Sequence, residues 1–374
     1  MNNRIVITKY NEKYIIVFIK NDIAIKIRAI DSYEDYSQLV YLGRVNSVKK
    51  NIDSCFVKYG NKTGFLKGSN KKNESVFPIM LKKETEGNKE DEVTDRITLA
   101  GFYVVVSDSI KGISYSNKIS SVEKDNINIE SIDNAIIRHN ALNTDKESII
   151  NEYILLSEKL LEISNIKDKR TDNSILYKGV PAIIDIIASE NLAEFNEVIT
   201  DDLNVYNLLN DYLQNYKEKG IKLNLNLKIY DDETVSLFAL MSLSSKIDRA
   251  INRKVYLKSD AYITIDKTEA LTVIDVNSGT TTFKGDKASV IHNINIEAAK
   301  EVALQLKLRN ISGIIIVDFI NEYNNQNKEE LIKTLNEALK YDDCSAKCHG
   351  MTKLGLVEIS RKRKQKPLKD QLWK

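Results

Sequence analysis

Two stretches in the last third of the chain, LTVIDVNSG at residues 271–279 and GIIIVDFIN at residues 313–321, restrict its fold more than any other feature. Each reads as a buried apolar strand that ends on an acid, Asp275 in the first and Asp318 in the second. The run between them, ASVIHNINIEAAKEVALQLKLR, spaces its apolar residues as a helix over about 288–309, closed near Gly313. Strand, long helix, strand is a crossover unit, which joins parallel strands with right-handed sense in nearly all cases. If the two strands are neighbours, Asp275 and Asp318 leave the sheet at the same carboxyl edge, where open α/β sheets bind ligands. Strand alternation also puts Leu271, Val273, Asp275 and Asn277 on one face, with Thr272, Ile274 and Val276 on the other.

A lone carboxylate is costly to remove from water unless it is paired or holds a metal. Two carboxylates side by side repel unless a cation lies between them. Oxygen-only ligands suit Mg²⁺, with Mn²⁺ as the alternative; both keep several waters and bridge to phosphate oxygens. Asn277, on the face of Asp275, is placed to orient a metal-bound water or a phosphate oxygen. The residues alone leave two readings open: metal-assisted phosphoryl transfer, or acids that cap strand ends or pair with Lys or Arg.

Composition narrows the class. With 374 residues, 42% hydrophobic and 29% charged, the chain is long enough for several globular domains. It holds no apolar run near the roughly 20 residues of a membrane span. The N-terminus alternates like strands and lacks the apolar stretch and cleavage site of a signal peptide. Three cysteines do not make a disulfide framework, so the expected location is cytoplasmic. A net charge of +2 means that any nucleic-acid surface is local. SRKRKQKPLK at 360–369 is one such candidate, and reads equally well as a solvated basic tail.

Along the rest of the chain, residues 1–34 read as three short strands. YLGRVNSVKKNIDSCFVKYGNKTGFLKGS, broken by Gly43, Gly60, Gly64 and Gly68, reads as a small antiparallel barrel. Residues 70–95 predict one strand, Val76 to Leu81, between exposed loops. ITLAGFYVVVS (97–107) and NAIIRHN (134–140) read as single strands, and helices are expected near 145–164 and 235–250. Residues 191–217 alternate short helix and strand signals. AYITIDKTEALTVIDVNSG is a hairpin whose second strand ends on Asp275.

TEALTVIDVNSG, NINIEAAKEVALQLKLRNISGIIIVDFI and MTKLGLVEISRKR, in this order and spacing, closely resemble the catalytic region of the ribonuclease E/G family of bacterial endoribonucleases. The barrel-like stretch 41–69 resembles the family's S1 barrel, and EGNK followed by ITLAGFYVVV its continuation. The resemblance implies a multidomain α+β chain. An RNase H-like domain (1–34 and 173–250) would be interrupted by an S1, OB-type, barrel (35–96) and a 5′-sensor-like domain (97–172). A DNase I-like α/β catalytic domain (251–374) would follow. It implies that Asp275 and Asp318 hold a catalytic Mg²⁺ supported by Asn277. Phe56 and Phe65 match the family's RNA-stacking aromatics, although from the residues alone either ring also reads as barrel core. Lys89 matches a basic RNA contact. Arg138 and His139 match an Arg-Thr pair that grips a 5′-phosphate together with backbone near Val105.

Several positions depart from the family pattern. Tyr115 and Ser116 stand where a basic pair is expected, which puts 5′-end sensing in doubt. Asn321 replaces an acid three residues after Asp318. The chain ends at Lys374, before the two-cysteine zinc link and small domain, so zinc-linked assembly is not expected and the oligomeric state is left open. Cys344, Cys348 and His349 fall upstream of that link and make an incomplete zinc site, so free buried thiols are expected. His292, alone in its helix, reads as a packing or surface residue. The expected activity is Mg²⁺-dependent cleavage of single-stranded RNA, in mRNA decay or rRNA and tRNA maturation, leaving 5′-phosphate and 3′-hydroxyl ends. The alternative is a non-catalytic S1-type RNA-binding or assembly factor.

Overall fold

The first 30 residues form the three expected strands, Arg4–Tyr10, Lys13–Lys20 and Ile23–Ile30. Asn21 and Asp22 between the last two both have positive φ, 48° and 62°, the values of a two-residue hairpin turn whose twist matches that of the strands. The computed structural model describes residues 3–68, 71–83, 90–127, 129, 131–280, 286–340 and 342–373. It is a mixed α+β chain of two compact units, residues 1–16 with 30–231 and residues 17–29 with 232–374.

In the first unit, strand Arg4–Tyr10 is flanked in parallel by Glu197–Thr200, which is flanked in turn by Leu227–Ile229. The glycine-punctuated stretch supplies three of the five strands of a closed barrel of the OB-like kind, in which one pair, Lys62–Lys67 with Asp91–Thr94, runs parallel rather than antiparallel as expected. The barrel's strands are Val40–Lys49, Ser54–Tyr59, Lys62–Lys67, Val76–Lys83 and Asp91–Thr94, and the first pairs with the fourth to close the ring. Val45, Cys55, Val57, Tyr59, Leu66, Ile79 and Val93 fill it. Gly43 and Gly64 are required by that filling: a Cβ on Gly43 would come within 2.6 Å of Val57, and one on Gly64 within 2.5 Å of Val93. Among its described residues the segment 70–95 contains two strands rather than the single one expected. Asp91–Thr94 is polar in sequence, and pairing with Lys62–Lys67 and Val76–Lys83 makes it a strand.

The single strand expected over 97–107 is two, Thr98–Ala100 and Val104–Ser107, folded back on each other. The cause lies far away in sequence. Helix Lys146–Ile166 carries the buried Glu152, whose carboxylate accepts the backbone N–H groups of Phe102 (2.7 Å), Tyr103 (2.7 Å) and Val104 (2.9 Å). Three N–H groups that a continuous strand would offer to a ladder are thus satisfied by one side chain.

The second unit is built on a six-stranded sheet in the order Lys254–Tyr256, Tyr262–Lys267, Thr272–Asn277, Gly313–Asp318, Val357–Arg361, Lys347–Met351. Helices Lys287–Leu308 and Asn325–Leu339 cover one face. Their Ala298, Val302, Leu306, Leu331 and Leu335 pack on Ile263, Ile274, Ile315, Val317 and Ile359 of the sheet. The crossover is therefore present as the sequence predicts. The first helix closes at Asn310, in the left-handed region at φ 52°, and Gly313 instead opens the next strand. The helix expected over 235–250 is broken into Leu237–Leu240 and Leu243–Ile251 by Ser242, also left-handed at φ 48°. Among the described residues no helix is long and apolar enough to cross a membrane.

Candidate active site

Strands Thr272–Asn277 and Gly313–Asp318 pair in parallel, in a register that sets Asp275 directly opposite Asp318. Neighbouring strands lie about 4.8 Å apart, so the two acids project side by side from one sheet edge. Both are exposed, while Ile274, Val276, Ile315 and Val317, alternating with them, point into the core. The strands are thus half-buried rather than fully buried as expected: Ile314, on the face of the acids, is 56% exposed. The carboxylates remain in water, and no desolvation cost has to be offset. Asn277 donates from Nδ2 to Asp275 Oδ2 at 2.6 Å, which fixes one acid's orientation. Among the described residues no Lys or Arg forms an ion pair with either acid, and the nearby Arg253 is held in a two-pronged contact with Asp266 at 2.6 and 2.7 Å. The set suits a divalent ion that takes a few carboxylate oxygens and fills its remaining positions with water.

The loop after Asp318 is clamped by residues that the sequence did not single out. Fully buried Asn295 donates Nδ2 to the Ile320 carbonyl at 2.7 Å and accepts the Ile320 N–H at 3.1 Å. The same Nδ2 lies 2.9 Å from Glu322, whose buried carboxylate also receives Asn327 at 3.2 Å and faces His292 Nδ1 at 3.1 Å. His292 is neither a surface residue nor simple packing: its other ring nitrogen lies 3.4 Å from Glu330. A His and an Asn three apart on one helix face were the available signal. An acid does follow Asp318, but as Glu322, turned inward, beside the Asn321 that departs from the family pattern.

In the barrel, Phe56 and Phe65 stand opposite each other with ring centroids 5.3 Å apart. Both are half-buried and alternate with the inward Cys55, Val57 and Leu66, so neither belongs to the barrel core. Lys49 Nζ sits 6.0 Å from the Phe56 ring. Lys89 lies outside the described residues.

Arg138 and the 101–105 segment do meet. The Arg138 guanidinium donates to the Gly101 carbonyl and, at 2.9 Å, to that of Ala188, while its N–H holds the Tyr103 carbonyl at 2.7 Å. Val105 sits within the ladder, opposite Ala100 and Ile136. His139 turns elsewhere and lines a cavity of about 430 Å³ with Glu123, Lys146 and Asn191. Burial, with Lys118 adding to it, pushes its pKa below the usual value, so the ring is neutral at pH 7. Tyr115 pairs with Ile137 in the neighbouring strand.

Cys344, Cys348 and His349 do not form a common ligand set. The donors that converge on Cys344 are Asp342 and Asp343. Arg361 holds Asp342 at 2.9 Å and Lys26 holds Asp343 at 2.8 Å, while His349 Nε2 lies 2.7 Å from Ser360 Oγ. Burial pushes the Cys344 and Cys348 thiols up, away from the thiolate form a metal needs.

The sequence profile described as the Ribonuclease E/G family matches residues 98–364 of this chain. The chain belongs to the ribonuclease E/G family. It is 30% identical to "Ribonuclease E" of Nostoc sp. over 349 residues, 87% of this chain and 51% of that protein. It is 27% identical to "Ribonuclease G" of Escherichia coli strain K12 over 357 residues, 87% of this chain and 72% of that one. A "Ribonuclease E/G-like protein" of Pyropia yezoensis is 28% identical over 88% of this chain and 69% of its own length. The chain spans about half the length of the Nostoc ribonuclease E. Family membership covers both the strand pair with its acids and the segment around Arg138.

Proposed function

We propose that this ribonuclease E/G family chain is a Mg²⁺-dependent endoribonuclease that cuts single-stranded RNA and leaves 5′-phosphate and 3′-hydroxyl ends. The register that sets Asp275 beside Asp318 carries this reading. Asp275 and Asp318 would hold the ion, with Mn²⁺ as the alternative. Bound there, the ion supplies charge stabilisation at the scissile phosphate and a more acidic water as nucleophile. Asn277 keeps the Asp275 carboxylate in one orientation. Asn295, itself held by Glu322, fixes the backbone at Ile320, two residues after Asp318. Phe56 and Phe65 would stack unpaired bases on the outside of the barrel.

In domain terms we read 35–96 as the S1 barrel, 97–172 as a 5′-sensor-like domain, 1–34 with 173–250 as RNase H-like, and 251–374 as the DNase I-like catalytic part. With its guanidinium already bonded to two carbonyls and His139 neutral, the sensor-like domain grips a 5′-phosphate weakly. The test is a nuclease assay on an A/U-rich single-stranded oligonucleotide with Mg²⁺ and with EDTA. Internal cuts that need the ion and yield 5′-phosphates are expected. Binding without cutting in Mg²⁺ would instead favour a non-catalytic RNA-binding factor.

A further inference from the structure

The sheet face that carries Asp275 and Asp318 is not covered by the two helices, which pack on the other side. Register sets its side chains in rows. Lys254 stands opposite Thr264, Thr264 opposite Asp275, and Asp275 opposite Asp318. One step along the strands, Tyr256 stands opposite Tyr262, and Tyr262 opposite Asn277. Two aromatic rings therefore share the face of the acids. From strand spacing and rise, Tyr262 lies roughly 8 Å from Asp275, backbone to backbone. The ring centroids of Tyr256 and Tyr262 are 6.1 Å apart, and Lys254 Nζ sits 3.5 Å from the Tyr262 centroid and 4.6 Å from that of Tyr256. Tyr256 is 63% exposed.

The ion proposed at Asp275 and Asp318 would offset their repulsion of a phosphate, and groups beside them on the same face can hold the rest of the strand. Aromatic faces stack unpaired bases regardless of sequence, and a lysine ammonium neutralises a phosphate. We propose that Tyr256, Tyr262 and Lys254 form a stacking platform for the nucleotide next to a phosphodiester held at Asp275 and Asp318. Single-stranded RNA is then gripped on the catalytic sheet itself as well as at the barrel. The platform rests on the RNA-cleaving reading above, and it adds a second determinant of where the strand is cut.

The full chain is tested with a single-stranded A/U-rich oligonucleotide carrying one 5-iodouridine, moved along the sequence. Photo-crosslinking is done in EDTA, and cleavage kinetics in Mg²⁺. Crosslinks to Tyr256 or Tyr262 are expected only from bases within two nucleotides of the bond that is cut. Tyr256→Ala is expected to raise KM about tenfold with kcat within twofold. Tyr256→Phe, which keeps the ring, is expected to retain the wild-type KM. Lys254→Gln is expected to lower the slope of log affinity against log salt by about one phosphate contact. Crosslinks that avoid both tyrosines, or an alanine variant with wild-type KM, overturn the platform while leaving the activity intact. A wild-type chain that does not cut in Mg²⁺ overturns the activity instead. The platform is then decided in EDTA, where an unchanged Kd for Tyr256→Ala refutes it and a tenfold rise upholds it.

Discussion

Asp318→Asn separates the repulsion within the acid pair from the ion-holding role proposed for it. The substitution nearly preserves volume and leaves the Asn277–Asp275 hydrogen bond in place. The carboxylates extend from register-paired residues on strands about 4.8 Å apart. Two unit charges at that separation repel by about 0.9 kcal/mol at the dielectric of water and about 3.5 kcal/mol at an effective constant of about 20. Both acids are exposed, so the lower figure applies, and salt reduces it further. In EDTA the variant is therefore expected to be more stable than wild type by at most about 0.9 kcal/mol. With Mg²⁺ at ten times its Kd, wild type gains about 1.4 kcal/mol by linkage and the order reverses. Urea denaturation followed by circular dichroism, with and without Mg²⁺, reads both arms, and cleavage is expected to fall below detection in the variant. If Mg²⁺ stabilises variant and wild type equally, the two aspartates do not share an ion and the reasoning fails.

Phe56→Ala with Phe65→Ala is expected to weaken single-stranded RNA binding by a few kcal/mol, at about 1–3 kcal/mol per stacked base, measured by fluorescence anisotropy. Because neither ring lies in the barrel core, the circular dichroism spectrum is expected to be unchanged; loss of folding would refute their placement. Glu152→Gln replaces an acceptor of three backbone N–H groups by one with a single oxygen. It is expected to cost about 2–3 kcal/mol in urea denaturation, from buried donors left unmet. A substrate with a 5′-monophosphate and one with a 5′-hydroxyl are expected to be cut at rates within about tenfold, a barrier difference of roughly 1.4 kcal/mol. That expectation follows from the neutral His139 and the carbonyl-bound Arg138. A hundredfold preference, lost in Arg138→Gln, would show that the guanidinium still reaches the phosphate.

The features legible in the sequence were those encoded by local period. Alternation around Asp275 and Asp318, helical spacing between them and glycines at 43 and 64 announced the crossover and the barrel. What escaped reading depends on contacts distant in sequence. ITLAGFYVVVS has the composition of one strand, and only a carboxylate about 50 residues away folds it into two. Asp91–Thr94 looks like loop until two partner strands supply its ladder. His292 and Asn295 matter because the loop after Asp318 lies against their helix, which no helical pattern states. Ser242 in the left-handed region is a break that its residue type does not announce.

The parallel register also decides which kinds of genetic change the site survives. Substitutions along Gly313–Asp318 alter packing by degrees, since each inward or outward position is kept. Removing one residue from this strand shifts everything beyond it by half a pleat period, which swaps the faces. Asp318 would then be aimed where Val317 now meets the helices, and an apolar side chain would stand beside Asp275. Lineages of this chain can therefore drift in composition along the strand, but insertions and deletions must arrive in pairs or fall in the connecting loops.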